Sequence, residues 1–461
     1  MVSNKKKIQH LYSRAGFGIT PSELKKIESK PINQIIDDIF NQSKKISLLT
    51  YLPIPETKEN GEVSNFNIIV MIVKSQEQLK ELNLSWIEKM TSNNNPLLER
   101  LTFFWHNHFA TSVPFAYLMQ QQNNTIRKFA LGKFSDLLFA IAKDPAMIIY
   151  LNNQQNKKTA PNENFAREVM ELFTLGEGKY SEKDIKEAAR AFTGWNSNKK
   201  GEFEFIAKDH DDTEKEFLGK KGNFDGDDIL KIILEQEQTA YFIAKKIYKE
   251  FVNEKVNESR INDLAIEFKK SDYNIETVFR KIFTSDWFYE EQNIGSKISA
   301  PIDLIVRLKR LTKFSFEDEK NQIQLQRVLG QILFFPPNVA GWKGGKNWID
   351  ATSLLQRLNL PSAILQGTQE ALKGKPQFEE KPEFTVNKNV TVKINSDWTP
   401  LMNHYKSINE SKWKSEMIED ILLAPSERVV INEPLNEKFT STDKCKYYLL
   451  QIFSSPEFQL I

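Results

Sequence analysis

Apolar residues in this chain recur at three- and four-residue spacing almost from end to end, and that periodicity limits its fold more than any other feature. It predicts amphipathic helices over residues 134–142, 165–175, 228–235, 240–251, 261–268, 275–283, 301–311, 352–358 and 442–453. Helix starts are marked too. Thr20-Pro21-Ser22-Glu23 reads as a capping box with proline in the first helical position. Asn95-Pro96 opens a helix through Leu97, Leu98, Leu101, Phe104 and Trp105, and Ser181 with Asp184 caps one over 185–192. Two-residue alternation is sparse. It appears over 201–206, expected to pair with the segment near Phe217 as a hairpin, and over 386–394. No strand–helix–strand rhythm appears, which argues against a doubly wound sheet. The expected fold class is mainly α, a large multi-helix body with small β-hairpin insertions.

At 461 residues there is room for two or three domains, or for one large body with insertions. A stretch rich in lysine, glutamate and proline at 366–395 reads as a linker or insertion. It divides a main body at 1–365 from a smaller helical part at 396–461, expected to pack on that body. The 63 basic residues are matched by 61 acidic ones, and no basic stripe with interleaved aromatics appears, so nothing points to nucleic acid. A single cysteine, Cys445, excludes a disulfide scaffold and any multi-cysteine metal site. The longest apolar run, 68–73, is far too short to span a bilayer. The lysines at 5–7 are followed by no apolar signal-peptide core. As it stands the chain reads as cytoplasmic, and as periplasmic or extracellular if a leader has been removed.

Chemistry-bearing residues concentrate in five segments, which hold four of the five histidines. The first, His10-Leu11-Tyr12-Ser13-Arg14-Ala15-Gly16-Phe17-Gly18, offers Arg14 and two glycines that let backbone approach a ligand; a tight turn into the next helix is the plain alternative. The second carries Trp105-His106-Asn107-His108. Two histidines suit a divalent metal, yet residues two apart on a continuous helix point about 160° away from each other, so both face one ion only if the helix ends there.

The third runs from Ala160 to Gly176. Asn164, Glu168 and Glu171 fall at i, i+4 and i+7 as one polar stripe between apolar flanks, with Arg167 four residues before Glu171 at ion-pair spacing. Asn162 is placed to cap this helix and Gly176 to end it. The stripe reads either as a carboxylate active site or as a structural Arg–Glu network. The fourth joins Trp195 to His210 and Asp211, a loop pair suited to acid–base or metal chemistry. The fifth, Phe334 to Asp350, is an aromatic loop with Asn338 and Trp342, suited to a sugar ring or peptide, or pinned to the core by its own tryptophans. No phosphate-binding loop, Gly-x-Ser-x-Gly elbow or His-Glu-x-x-His motif is present.

At these same segments the sequence resembles a bacterial family, domain of unknown function 1800 (DUF-1800). The resemblance is carried by residues 10–18, 104–112, 160–176, 187–195, 210–219 and 335–349. Most specific are Asn162-Glu163-Asn164-Phe165-Ala166-Arg167-Glu168 and Pro336-Pro337-Asn338-Val339-Ala340-Gly341-Trp342. The resemblance implies no established reaction and no assigned catalytic residues. It implies that many members are exported, and a sulfatase/phosphatase-like partner of the DUF-1501 family.

Two functions are expected from these residues. One is a hydrolase or lyase acting on a glycan or other polar polymer. Glu168 or Glu171 serves as acid or base and Arg167 orients it. His106, His108, His210 and Asp211 bind a divalent metal or relay protons, while Arg14, Asn162, Asn164, Trp195, Asn338 and Trp342 shape the pocket. The other is a non-catalytic binding or assembly module that recruits the partner. Convergence of the third segment with the histidines in an open pocket favours the enzyme; a sealed, fully paired stripe favours the module.

Overall fold

The computed structural model describes residues 2–52, 65–198, 200–367, 370–372, 390–434 and 439–461, with side chains of residues 65–71, 366, 370–372 and 390–392 left aside. Twenty α-helices and four two-stranded antiparallel sheets lie within those residues, so the fold is mainly α with small hairpins. The capping boxes read from the sequence form as expected, with Thr20 and Ser181 each accepting the backbone N–H three residues on. No helix among the described residues is long and apolar enough to cross a membrane.

Strand pairing differs from expectation. Phe203–Phe205 pairs with Trp195–Ser197, and Lys215–Phe217 forms its own hairpin with Lys220–Gly222. The nearer partner wins because a short connection costs less closure entropy, and the pairing lets Phe203 pack edge-on against Trp195 at 5.4 Å. Most of the alternating stretch at 386–394 lies outside the described residues. Its end does pair: Val390–Val392 with Glu370–Leu372, and Ile394–Asn395 with Ser315–Phe316.

One helix acts as the spine of the motif segments. Pro96–His108 is buried along nearly its whole length. Leu97, Leu98, Leu101 and Trp105 enter the largest apolar core, while Phe103 enters a second core with Trp86 and Phe334. A third core joins Leu304, Leu325 and Ile364 to Trp398, Tyr405, Leu449 and Phe458. It is fed by helices Pro301–Thr312, Asn321–Leu329 and Ala351–Gln366 and by the C-terminal helices Thr399–Lys406, Trp413–Ile421 and Ser441–Phe453.

The helix of the third motif segment is not regular. Its first turn, Asn164–Glu168, is α, but Val169–Thr174 is a π-turn. The wider i→i+5 turn shifts Glu171 from the position that its three-residue spacing from Glu168 gives on an α-helix. Gly176, at φ +87°, ends the element in the left-handed region, as the sequence anticipates.

Candidate functional site

Helix Pro96–His108 presents Arg100, Phe104 and His108 at i, i+4 and i+8, which places them on one face. Helix Glu237–Phe251, here called the facing helix, presents Phe242, Lys246 and Glu250 at the same spacing. The two rows meet. His108 Nδ1 lies 3.1 Å from Lys246 Nζ, Phe104 packs edge-on against Phe251 at 5.3 Å, and Arg100 Nη2 lies 3.4 Å from Glu250 Oε1. Phe104, Phe242, Lys246 and Glu250 are only partly buried. The contact is therefore a partly exposed seam, called the recess below, with charged groups at both ends and aromatic rings between them.

At one end, the bonds define the protonation of His108. Its Nε2 lies 3.1 Å from Phe173 O, and a carbonyl only accepts, so Nε2 carries the proton. Nδ1 then offers its lone pair to Lys246, which also donates to Leu172 O at 2.8 Å. Leu172 and Phe173 belong to the π-turn, whose last carbonyls have no partner within the helix. Burial and the neighbouring Lys246 hold the His108 ring neutral, its pKa well below the usual value. Burial also pushes the Lys246 ammonium down to about 7. A lysine that shares its proton near neutrality, fixed by a histidine and a carbonyl, is equipped to take or give a proton.

At the other end, Glu250 is held by two cations, Arg100 and Lys297, the latter at 2.9 Å. Arg100 also pairs with Asp303. These partners, with Arg14 near by, keep the Glu250 carboxyl below its usual pKa even though burial opposes this. Its side chain is nevertheless 37% exposed, so it keeps contact with solvent.

The aromatic loop is held to the end of helix Pro96–His108 by His106 and Asn107. His106 Nε2 accepts from Phe334 N at 3.3 Å. Asn107 accepts from Trp342 N at 2.8 Å and donates to Trp342 O at 3.3 Å. Gly341 sits so close that a Cβ there would lie 2.3 Å from Asn107 Oδ1. At Gly345 a Cβ would meet the Glu254 carboxylate, one turn beyond Glu250.

The two histidines accordingly do not fit a shared metal. His106 faces Trp86, Phe334 and Trp342, whereas His108 faces Phe109, Phe134 and Phe173. The His106 Nε2 lone pair and both His108 nitrogens are engaged by protein groups, the helix remaining regular through both residues. Among the described residues no three His, Cys, Asp or Glu side chains gather as a metal site.

The remaining candidates lie elsewhere. Arg167 pairs with Glu163 and Glu182, not with Glu171. Glu171 accepts from Tyr180 Oη at 2.9 Å. Burial and the adjacent Glu171 raise the Glu168 pKa. No hydrogen bond or ion pair among the described residues joins Glu168 or Glu171 to His106, His108 or His210; the third segment meets His108 through the Phe173 carbonyl and not through its carboxylates. Asn162 is not the N-cap, which is Glu163; it lies one residue before it and closes a local turn by accepting from Asn164 N, and Asn164 donates to Leu151 O. Trp195 is a core ring packed on Phe192 and Phe203. Asn338 folds its own turn by accepting from Ala340 N. His210 donates from Nδ1 to Thr193 O, and Asp211 is bound by Arg190, which depresses its pKa although burial opposes the shift.

Sequence reasoning reached His108 and Arg14 but missed Lys246, Glu250 and Arg100. Arg100 carried a usable signal, as half of a charged Glu-Arg pair set between apolar residues, Leu97 and Leu98 before it and Leu101 after it. Lys246 and Glu250 carried none, because Lys245 beside Lys246 looks the same in a single sequence and Glu250 follows Lys249 as an ordinary charged pair of an amphipathic helix.

A family model described as "Protein of unknown function (DUF1800)" matches residues 10–460. No curated protein and no solved structure gave a significant match.

Proposed function

The chain belongs to the DUF1800 family, and on that premise we propose that it is an acid–base enzyme, a hydrolase or lyase, acting on a glycan or similar polar polymer in the recess between the two facing helices. The observation that carries this reading is the Lys246–His108 contact of 3.1 Å. Lys246 uses two of its three donor positions on His108 and Leu172 O. In the neutral amine these two bonds persist and the lone pair occupies the third position, where a substrate proton is taken up. His108 positions the amine. Phe104 and Phe242 give apolar surface for a sugar ring, and Glu250 accepts hydroxyl hydrogen bonds. Glu168, with its raised pKa, and Glu171 make no bond to Lys246 or His108 among the described residues and are proposed as auxiliary contacts for a long polymer rather than as the reacting pair.

The test is a depolymerisation screen over neutral and acidic polysaccharides with the wild type and with Lys246→Met. Cleavage by the wild type, reduced at least about 100-fold in a folded Lys246→Met variant, is the expected result. Equal cleavage by both proteins would remove Lys246 from the chemistry.

A second reading, an assembly module for a sulfatase/phosphatase-like partner, is favoured by residues 106–108, each of which holds another segment of the fold. It predicts that Asn107→Ala abolishes partner capture while no polymer is cleaved.

A further inference from the structure

We propose that a cleft between the ends of three helices binds a sugar unit that carries an acidic group. The cleft has a volume of about 630 Å³, within the roughly 300–1,000 Å³ of small-molecule sites. Its walls come from helix Ile32–Ser43 and the residues after it, from the end of helix Asn65–Ser92, and from the turn into helix Pro96–His108. Two bonds tie these walls together. Asn95 Nδ2 donates to Lys45 O at 3.0 Å, and Lys89 Nζ donates to Ser47 Oγ at 2.9 Å. Asn95 gives up another role to do so. It stands at the N-cap position, which asparagine favours, yet its side chain accepts no N–H of the helix. A forgone cap costs about 1 kcal/mol. The bridge between the walls is kept and the cap is lost.

Every lining side chain is polar, so the cleft offers no anchor for an apolar ligand. Asn41 and Gln42 on one wall and Asn94 on the other make no side-chain hydrogen bond among the described residues. Each amide presents donors and an acceptor, the pairing that the hydroxyls of a sugar require. The charges add the acidic group. Asp38 is paired with Lys30 at 3.1 Å, and Glu99 with Arg127 at 2.9 Å. Lys45 and Lys89 have no carboxylate within ion-pair distance among the described residues. With every partner counted, four cations therefore face two acids. Burial holds the Lys89 ammonium below its usual pKa; of its charged neighbours, Glu99 opposes the shift and Arg127 adds to it. A partly buried ammonium without a counter-ion is stabilised by a carboxylate or phosphate. Lys45 and the three amides are exposed, so a ligand reaches them without any opening of the fold. Glu99, in the cleft wall, and His108 stand about 13 Å apart along one helix axis. The site uses neither Lys246 nor His108 and does not rest on their proposed role.

The experiment is calorimetric titration of the full chain with trigalacturonate, glucose 6-phosphate and the neutral cellotriose, at constant ionic strength. Saturable binding of about one equivalent of an acidic sugar is expected, weakened at least about tenfold in Lys45→Ala/Lys89→Met and in Asn41→Ala/Asn94→Ala. These side chains are exposed or, for Lys89, bonded only to Ser47, so both variants are expected to fold. Binding of trigalacturonate alone assigns the acidic group as a carboxylate, and binding of glucose 6-phosphate alone as a phosphate. No saturable binding of either by the wild type up to about 10 mM overturns the proposal, as does unchanged affinity in the lysine variant. Cellotriose bound as tightly as trigalacturonate overturns the acidic group. Inorganic phosphate bound as tightly as glucose 6-phosphate overturns the sugar and leaves an adventitious ion only. Lys246→Met is expected to bind the acidic sugar unchanged, so failure of this site leaves the recess chemistry standing.

Discussion

Lys246, partly buried, and Asp144, buried, are two groups whose charge is suppressed by their surroundings, and each links stability to pH in its own direction. The folded pKa of Lys246 is near 7 against 10.5 when exposed, so the unfolded chain binds the extra proton between those values. Its contribution therefore favours folding progressively as pH rises from about 7 towards 10.5. Lys246→Met removes that dependence, and melting curves from pH 6 to 10 are expected to rise less steeply in the variant. Asp144 has the opposite sign. Burial raises its carboxyl to about 7 although Gln122 and Met147 N donate to it. The folded state holds the proton between 3.8 and 7, so stability is lost as pH rises through that window. Asp144→Asn is expected to raise stability at pH 8 by on the order of 2 kcal/mol and to change little at pH 4, as measured by chemical denaturation. At this scale the sequence was half legible. Histidine clustering drew attention to residues 106–108, but which way each ring points depends on the helix staying regular to His108. The recess lysine has the same local pattern as its neighbours, and only the packing of a second helix distinguishes it.

Among the elements, the clamp on the aromatic loop is the most exacting. Asn107 meets both backbone groups of Trp342, and Asn107→Ala leaves them with no side-chain partner; a loss of about 1–3 kcal/mol in urea unfolding is expected, with stronger acrylamide quenching of tryptophan fluorescence. Gly341→Ala is expected to cost about 2 kcal/mol or more in the same measurement. Its φ is +75°, and the added methyl collides with Asn107 Oδ1. Helices and caps were readable because period and capping chemistry are local. The hairpin at 195–205 was misassigned because strand partners are chosen by packing, here of Phe203 on Trp195. The π-turn at Val169–Thr174 was invisible for a similar reason: its carbonyls are taken by Lys246 and His108, residues remote in the chain.

For the molecule as a whole, the family motifs converge on one helix rather than on one ion. Arg100 packs with Phe17 of the first segment at 5.5 Å, His106 and Asn107 hold the aromatic loop, and His108 holds the π-turn. The C-terminal helices share a core with Leu304, Leu325 and Ile364. A fragment of residues 396–461 alone is accordingly expected to be unfolded by circular dichroism, because the surface that covers its apolar faces is absent. The central claim, that the recess holds a lysine poised near neutrality, is tested most directly by carbon NMR of the protein labelled at lysine Cε. One resonance, absent from Lys246→Met, is expected to titrate with a midpoint near 7. Titration of every lysine resonance near its ordinary value of about 10.4 would contradict it.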